Sequence, residues 1–501
     1  MLTLSKSRYC KGVQCPKILW MDVNMPGEFD KSVMNDSLLA AGSRAGDLAM
    51  GYFGEFSEIP FTGNKLEMAG ETRRLLDAGT CVIAEASFSF DGCFCMSDIL
   101  RKVEGGYELV EVKASAASEG DGPETVKHIY LDDMAFQYHV TSNCGLDVKK
   151  VSIMRLNRDY IRQGEIDIQK LFVLTDCTET VLAKQEGIAG RIAKIKAAAV
   201  QKEEPHAVIG SRCDDPYTCG YKKWCFQNLP DNNVFDIGFK MRKDRKDAVY
   251  LSGFISFEEV FNGQLRLNDQ QLLQLITVIH NLPPHIEPDN IRRFLNGLSY
   301  PLCHLDFETV QQPVPLWDGV KPYQQIPFQY SLHIQDKPCS EPAHREFLAI
   351  EGKDPRRELA EQLCADIPPD ACVLAYSAGF EKGRIRELAE TFPDLSQRLM
   401  SIHSGVADLA APFSKGFYYC REMCGSYSIK SVLPALFPNN PELDYKSLGL
   451  IHNGGEAMDA YATLHEKPPG EIAEIRVALL AYCKLDTLAM VKILGKLYEL
   501  I

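Results

Sequence analysis

Residues 301–310 read PLCHLDFETV, an apolar run of strand length that ends in Asp306-Phe307-Glu308. In a strand, residues i and i+2 point to the same face. Asp306 and Glu308 are therefore expected to project together, with Leu305 and Phe307 turned to the other side. Two neighbouring carboxylates repel each other, and a divalent cation is the usual remedy, because hard oxygen ligands suit Mg²⁺ or Mn²⁺. Taken alone, the acidic pair reads equally well as a solvated strand end.

Two later stretches extend the pattern. Leu479–Ile493 (LLAYCKLDTLAMVKI) is apolar at helical spacing, and Tyr482 and Asp486, four apart, share one helix face. Ala371–Glu387 (ACVLAYSAGFEKGRIRE) predicts a strand, then Ser377-x-x-Phe380-Glu381, then a helix. Strands are also expected at Phe328–Ile334 and Arg345–Ile350, with a helix at Asp354–Ile367. The ordered set resembles the motifs of the DnaQ-like (DEDD) 3′–5′ exonucleases, in the tyrosine-bearing subclass. The resemblance implies a ribonuclease-H-like sheet in which Asp306, Glu308, Glu381 and Asp486 hold two Mg²⁺ or Mn²⁺ ions and Tyr482 orients the attacking water. Two positions depart from that family: Ser377 stands for its Asn and Glu381 for its Asp.

The N-terminal half carries a second acidic constellation. Cys95–Ser115 (CMSDILRKVEGGYELVEVKAS) predicts two strands joined at Glu104-Gly105-Gly106. Glu111 and Lys113 share a face, and Asp98 lies across the hairpin from them. This D…E-x-K set resembles the core of the PD-(D/E)XK nucleases, which implies that Asp98 and Glu111 bind metal and Lys113 assists the nucleophile. Gln137, on a helix expected at Asp132–Val140, stands where RecB-type domains carry a glutamine. The tyrosine that follows it there is Thr141 here, and the metal-binding His of many relatives falls at Gly46, with Asp47 and Glu85 as alternatives.

Around that hairpin are cysteines. Residues 9–20 read YCKGVQCPKILW, and Cys213, Cys219 and Cys225 follow far downstream. Zinc-ribbon ligands come in two tight pairs, whereas four such thiolates also suit an iron–sulfur cluster. Cys15-Pro16 through Trp20, and Cys219-Gly220-Tyr221 through Cys225, resemble the iron–sulfur staple of RecB/AddB-like and CRISPR-adaptation nucleases. The resemblance implies a structural [4Fe–4S] cluster on Cys15, Cys213, Cys219 and Cys225. The Cys213–Cys219 gap is longer than that family's, and Cys10 is the alternative ligand.

A chain of 501 residues predicts two to four domains; the expected division is 1–228, a helical connector over 229–297, and 298–501. No run of 18 or more apolar residues occurs, so no membrane partner is expected, and the N-terminus lacks an apolar signal core, which predicts a cytoplasmic protein. Seventeen cysteines then read as thiols or ligands rather than disulfides. The formal charge of −14 argues against coating nucleic acid non-specifically. Basic runs at Lys149-Lys150 with Arg155, Arg158 and Arg162, at Lys240–Lys246, and at Arg292-Arg293 are candidate phosphate contacts or solvated faces. Across nearly the whole chain, LSKS-x-Y, QCPKILW, EVKAS, LDFET, SYSIKSVLPALFP and YCKLDT resemble a bacterial family known only as domain of unknown function 2779. The expectation is an α/β protein, a PD-(D/E)XK restriction-endonuclease-like domain plus a ribonuclease-H-like exonuclease domain. It would be a metal-dependent nuclease with nucleic acid as its partner, DNA ahead of RNA. The alternatives are a non-catalytic nucleic-acid-binding protein with degenerate sites and an iron–sulfur redox or regulatory protein.

Overall fold

The computed structural model describes residues 3–34 and 36–501, with 36–41 described by their backbone. The chain forms two compact units, Met1–Asn228 with Gln312–Gln324, and Leu229–Gln311 with Gln325–Ile501. Both are mixed α/β.

The first unit is built on a seven-stranded sheet of β1 (Leu4–Ser5), β2 (Ser57–Glu58), β3 (Val82–Phe90), β4 (Cys93–Val103), β5 (Gly106–Ala117), β6 (Val148–Asn157) and β7 (Phe172–Asp176). The order is β2-β3-β4-β5-β6-β7, with the short β1 parallel to the far end of β4. β4 and β5 form the expected hairpin, longer than a minimal one, and Gly105 takes its turn at φ +76°. Helix His128–Asn143 lies in the core, where Leu131, Met134, Phe136 and Val140 join sheet residues such as Leu100, Leu109 and Ile153. Each such side chain contributes on the order of 1.5–3 kcal/mol of burial. Tyr9 of helix Lys6–Gln14 stacks on Phe136 at 4.7 Å. Gly12, on the same helix, lets it close on Ile195, since a Cβ there would stand 2.5 Å from the Ile195 side chain. Two helices follow, Thr178–Ala183 and Ile188–Val200. Gly187 between them sits at φ +79°, which a right-handed helix cannot accommodate.

The second unit contains a two-stranded pair, β8 (His285–Ile286) with β14 (Tyr418–Tyr419), and a five-stranded sheet. The sheet consists of β9 (Leu302–Val310), β10 (Ile326–Gln335), β11 (Ala343–Leu348), β12 (Cys372–Ala375) and β13 (Val406–Asp408), in the order β11-β10-β9-β12-β13. β9, β10 and β11 pair antiparallel, while β12 and β13 run parallel to β9. The period of two along β9 is realised. Cys303, Leu305 and Phe307 pack with Leu359, Leu363, Ile385 and Leu399, while Leu302 joins Leu485, Ala489 and Met490 of helix Pro469–Glu499 on the other face.

Residues 229–297, read as a connector, carry helices Lys243–Leu251, Phe257–Asn262, Asp269–Ile279 and Pro288–Asn296 and belong to the second unit's compact body. Gln312–Gln324, inside the stretch assigned to the C-terminal domain, belongs to the first unit instead. There Tyr323 donates its hydroxyl to the Ala114 carbonyl, and Arg162 donates to the carbonyls of Pro315 and Leu316 at 2.9 and 2.7 Å.

That use of Arg162 is typical of the basic runs. Arg155 is buried and bonded to Thr125 and Thr175, Lys150 pairs with Glu108, Arg292 with Asp289, and Lys246 donates to the Phe235 carbonyl. These side chains tie the fold. Among the described residues no helix is long and apolar enough to cross a membrane.

Candidate metal centres and a cysteine pocket

In the second unit, β9 presents Asp306 and Glu308 to the face covered by helix Pro469–Glu499, which supplies Tyr482, Cys483 and Asp486. Ligand atoms of Asp306, Glu308 and Cys483 lie within 4.8 Å of one another. Cys483 Sγ is 3.8 Å from Asp306 Oδ2. The Asp486 carboxylate accepts a hydrogen bond from Tyr445 at 2.5 Å and another from Tyr482. Glu381, on helix Gly379–Thr391, is buried with Oε2 unpartnered.

Burial, reinforced by Asp486, Glu308 and Glu381, holds the Asp306 carboxyl well above the usual carboxylate range. Burial and Asp486 push Glu308 to about 8 against the opposing charge of Lys430. Burial lifts Glu381 to about 7, with Asp408 adding to it, and Asp486 to about 6 despite its hydrogen bond from Tyr445. Four carboxyls withdrawn from water are costly unless they bind protons or share cations. An orphaned oxygen on Glu381 and a tight Asp306–Glu308 pair are donors of the hard type that Mg²⁺ and Mn²⁺ take, so the residues fit such ions.

Sequence reasoning passed over Tyr445 and Cys483. Cys483 had a signal, since residues three apart on a helix are neighbours and Asp486 is three beyond it. Tyr445 had none, because it reaches Asp486 only through the fold. Lys430 stands 5.4 and 5.8 Å from the Tyr445 and Tyr482 ring centres and bonds the His452 carbonyl at 3.3 Å. Ser377 makes the turn from β12 into the Glu381 helix at φ 63°, its N–H bonded to Asp408 at 2.9 Å.

In the first unit, the β4–β5 hairpin and helix His128–Asn143 bring Asp98, Glu111, Lys113 and Gln137 together. Lys113 Nζ reaches Glu111 at 2.6 Å and Asp133 at 3.1 Å. Gln137 Nε2 donates to Glu111 at 2.7 Å and to Asp133 at 3.1 Å. Asp98 accepts from the Val112 N–H at 2.8 Å. The addition is Lys6, whose ammonium stands 3.1 Å from Asp98 and 2.9 and 3.1 Å from the two oxygens of Glu111. The two carboxylates thus converge on one positive charge, a stand-in for the cation that the resemblance implies.

Burial raises Glu111, but Lys113 and Lys6 outweigh it and hold it at about 2. Asp98 is raised by burial and by Glu111. Glu85 stands opposite Asp98, between the pairs Ala84–Ile99 and Ala86–Ser97, at φ 56°. It is lifted to about 7 by burial and by Asp98, so it faces this cluster. Thr141 bonds the Gln137 carbonyl at 2.9 Å and cannot serve as the missing tyrosine. His139 packs edge-on against Phe90.

The cluster opens on a cavity of about 300 Å³ whose lining includes Lys6, Lys11, Lys113, Tyr130, Asp133 and Tyr217. A second, separate pocket is lined by Cys15, Cys213, Cys219 and Cys225 with Lys17 and Lys222. Burial pushes the Cys219 thiol to about 11 and raises Cys213 and Cys225. Four cysteines lining one small pocket are the donor set that a group held by four thiolates needs. Cys10 is not among them, for it lines the cavity beside Lys113.

No curated protein and no solved structure matches this chain. Over residues 303–428, from β9 to the start of helix Ile429–Leu436, the chain matches the model of the family described as Domain of unknown function (DUF2779).

Proposed function

We propose that this chain is a metal-dependent nuclease that hydrolyses phosphodiester bonds, DNA ahead of RNA, with a catalytic centre in each unit. The observation that carries the reading is the convergence of Asp306 and Glu308 of β9 on Cys483 of the last helix, within 4.8 Å, with Asp486 and Glu381 near enough to raise the Asp306 carboxyl. The order β11-β10-β9-β12-β13, antiparallel on one side of β9 and parallel on the other, is what a ribonuclease-H-like exonuclease sheet requires.

Asp306, Glu308, Glu381 and Asp486 would hold Mg²⁺ or Mn²⁺, which when bound supplies Lewis-acid stabilisation of charge on the phosphate oxygens. Tyr445 fixes the Asp486 carboxylate from one side. Tyr482, bonded to the same carboxylate, orients the attacking water. Lys430, over both rings, meets the negative charge of the strand. In the first unit Asp98 and Glu111 would bind the cation. Lys113, held between Glu111 and Asp133, keeps its ammonium at the position from which it orients the nucleophile, and Gln137 fixes Glu111. The cysteine pocket would hold a structural [4Fe–4S] cluster.

The test is Mg²⁺- or Mn²⁺-dependent release of nucleotides from end-labelled single strands. Asp306→Ala and Lys113→Ala should each remove a separable activity. If neither substitution alters digestion, both sites are misassigned. One observation favours a second reading for the first unit. Lys6 and Lys113 together meet the charge of Asp98 and Glu111, as a degenerate site that binds nucleic acid without cutting would require. In that case Lys113→Ala leaves all hydrolysis intact while Asp306→Ala abolishes it.

A further inference from the structure

The six-residue spacing between Cys213 and Cys219 looks in sequence like a defect of the cysteine frame. In the fold it has a destination. Both cysteines line the sulfur pocket, while Pro216 and Tyr217 between them line the cavity beside Lys113 and Asp133. The loop is closed at its base by the Cys219 N–H to the Cys213 carbonyl at 2.7 Å. It is held against helix Lys6–Gln14 by Gln14 Nε2, which donates to the carbonyls of Arg212 and Tyr217 at 2.9 and 2.7 Å. Tyr217 lines the cavity and is 59% exposed. Tyr130 lines the same cavity, its ring 5.2 Å from the Lys113 ammonium.

Lys6, Lys11 and Lys113, each paired with a carboxylate, share the cavity lining with Ile129, Tyr130, Pro216 and Tyr217, so that charged groups and flat or apolar surface meet there. A volume of about 300 Å³ is at the small end for a ligand pocket, the scale of one nucleotide. Aromatic faces receive any base by stacking, without regard to sequence.

We propose that Tyr217 is a nucleobase-contacting residue, and that the Cys213–Cys219 loop exists to set it in place. One unpaired nucleotide enters with its phosphate toward the lysines and its base against Tyr217 and Tyr130. The state of the sulfur pocket then fixes a wall of the nucleotide pocket, because both ends of the loop are sulfur-pocket residues. This rests on the reading of the first unit as a phosphodiester-binding site, whether or not it cuts.

The experiment uses the full-length protein and a single-stranded oligothymidylate carrying 5-iodouracil, bound in Ca²⁺. Photocrosslinks mapped by mass spectrometry should fall on the peptides carrying Tyr217 or Tyr130. Tyr217→Ala should weaken binding about tenfold, the order of one lost stack, and Tyr217→Phe should bind as the parent does. Crosslinks confined to other peptides, or unchanged affinity in Tyr217→Ala, overturn the proposal. Hydrolysis is read separately in Mn²⁺. Crosslinking at Tyr217 without hydrolysis refutes the nuclease reading and leaves this one standing.

Discussion

A carboxyl that is buried among other carboxyls is a destabilising residue until its charge is met. Asp306 is the clearest case, pushed up by burial, Asp486, Glu308 and Glu381. Asp306→Asn should therefore stabilise the metal-free protein by about 1–3 kcal/mol while abolishing the rise in melting temperature that Mn²⁺ gives the parent. Thermal unfolding with and without Mn²⁺ measures both, and a variant still stabilised by the ion to the parental extent would remove Asp306 from the metal site. Lys6 makes the opposite case. It is the cation that Asp98 and Glu111 already have. Lys6→Met should cost about 3 kcal/mol in chelator, the usual penalty for breaking a partly buried ion pair, and Mn²⁺ should restore more stability to the variant than to the parent. Asp98 and Glu111 were legible from their spacing on a hairpin. Lys6 was not, because nothing in LSKS says that a helix opening will lie across that hairpin.

Elements place these residues in rows. His304, His333 and His344 are directly opposed across β9, β10 and β11. Burial, then His344, His304 and Lys484, lower His333 to about 3; its Nδ1 is 2.8 Å from Thr487 of the last helix. It stays neutral in the fold, whereas an unfolded histidine gains a proton below about 6.5. Its contribution is complete above that pH and is lost as pH falls toward 3, at about 1.4 kcal/mol per unit. Glu308, raised to about 8, works the other way and stabilises as pH falls. The parent compared with His333→Asn isolates the first effect, and parallel stability curves between pH 7 and 4 would refute it. The Cys213–Cys219 loop is an element of a different kind, with its ends at one pocket and its middle at another. Cys219→Ser should lose absorption near roughly 400 nm together with the oligonucleotide affinity that Tyr217→Ala loses. Loss of colour with binding unchanged would uncouple the two pockets.

At the scale of the whole molecule, a formal charge of −14 leaves phosphate contacts to a few local cations. Those lining the first unit's cavity are Lys6, Lys11 and Lys113, each paired with a carboxylate that a phosphate or a metal ion would have to displace. Single-strand binding there should depend on salt with a slope near roughly −2 in log affinity against log concentration, as about three neutralised phosphates give. A much steeper slope would mean a broad basic surface that the fold does not offer, since Arg155, Arg162 and Lys246 are spent on internal bonds. By itself the sequence determined what depends on near neighbours. The face shared by Asp306 and Glu308, the hairpin turn at Gly105, and the pairing of Tyr482 with Asp486 on one helix all follow from backbone periods of 2 and 3.6 and from local turn chemistry. The tertiary structure alone decided that Lys6 meets Asp98, that Tyr445 holds Asp486, that residues 312–324 join the first unit, and that a widened cysteine gap reaches the cavity beside Lys113. Those contacts join residues tens to hundreds of positions apart, and no repeating pattern along the chain encodes which distant side chain will arrive.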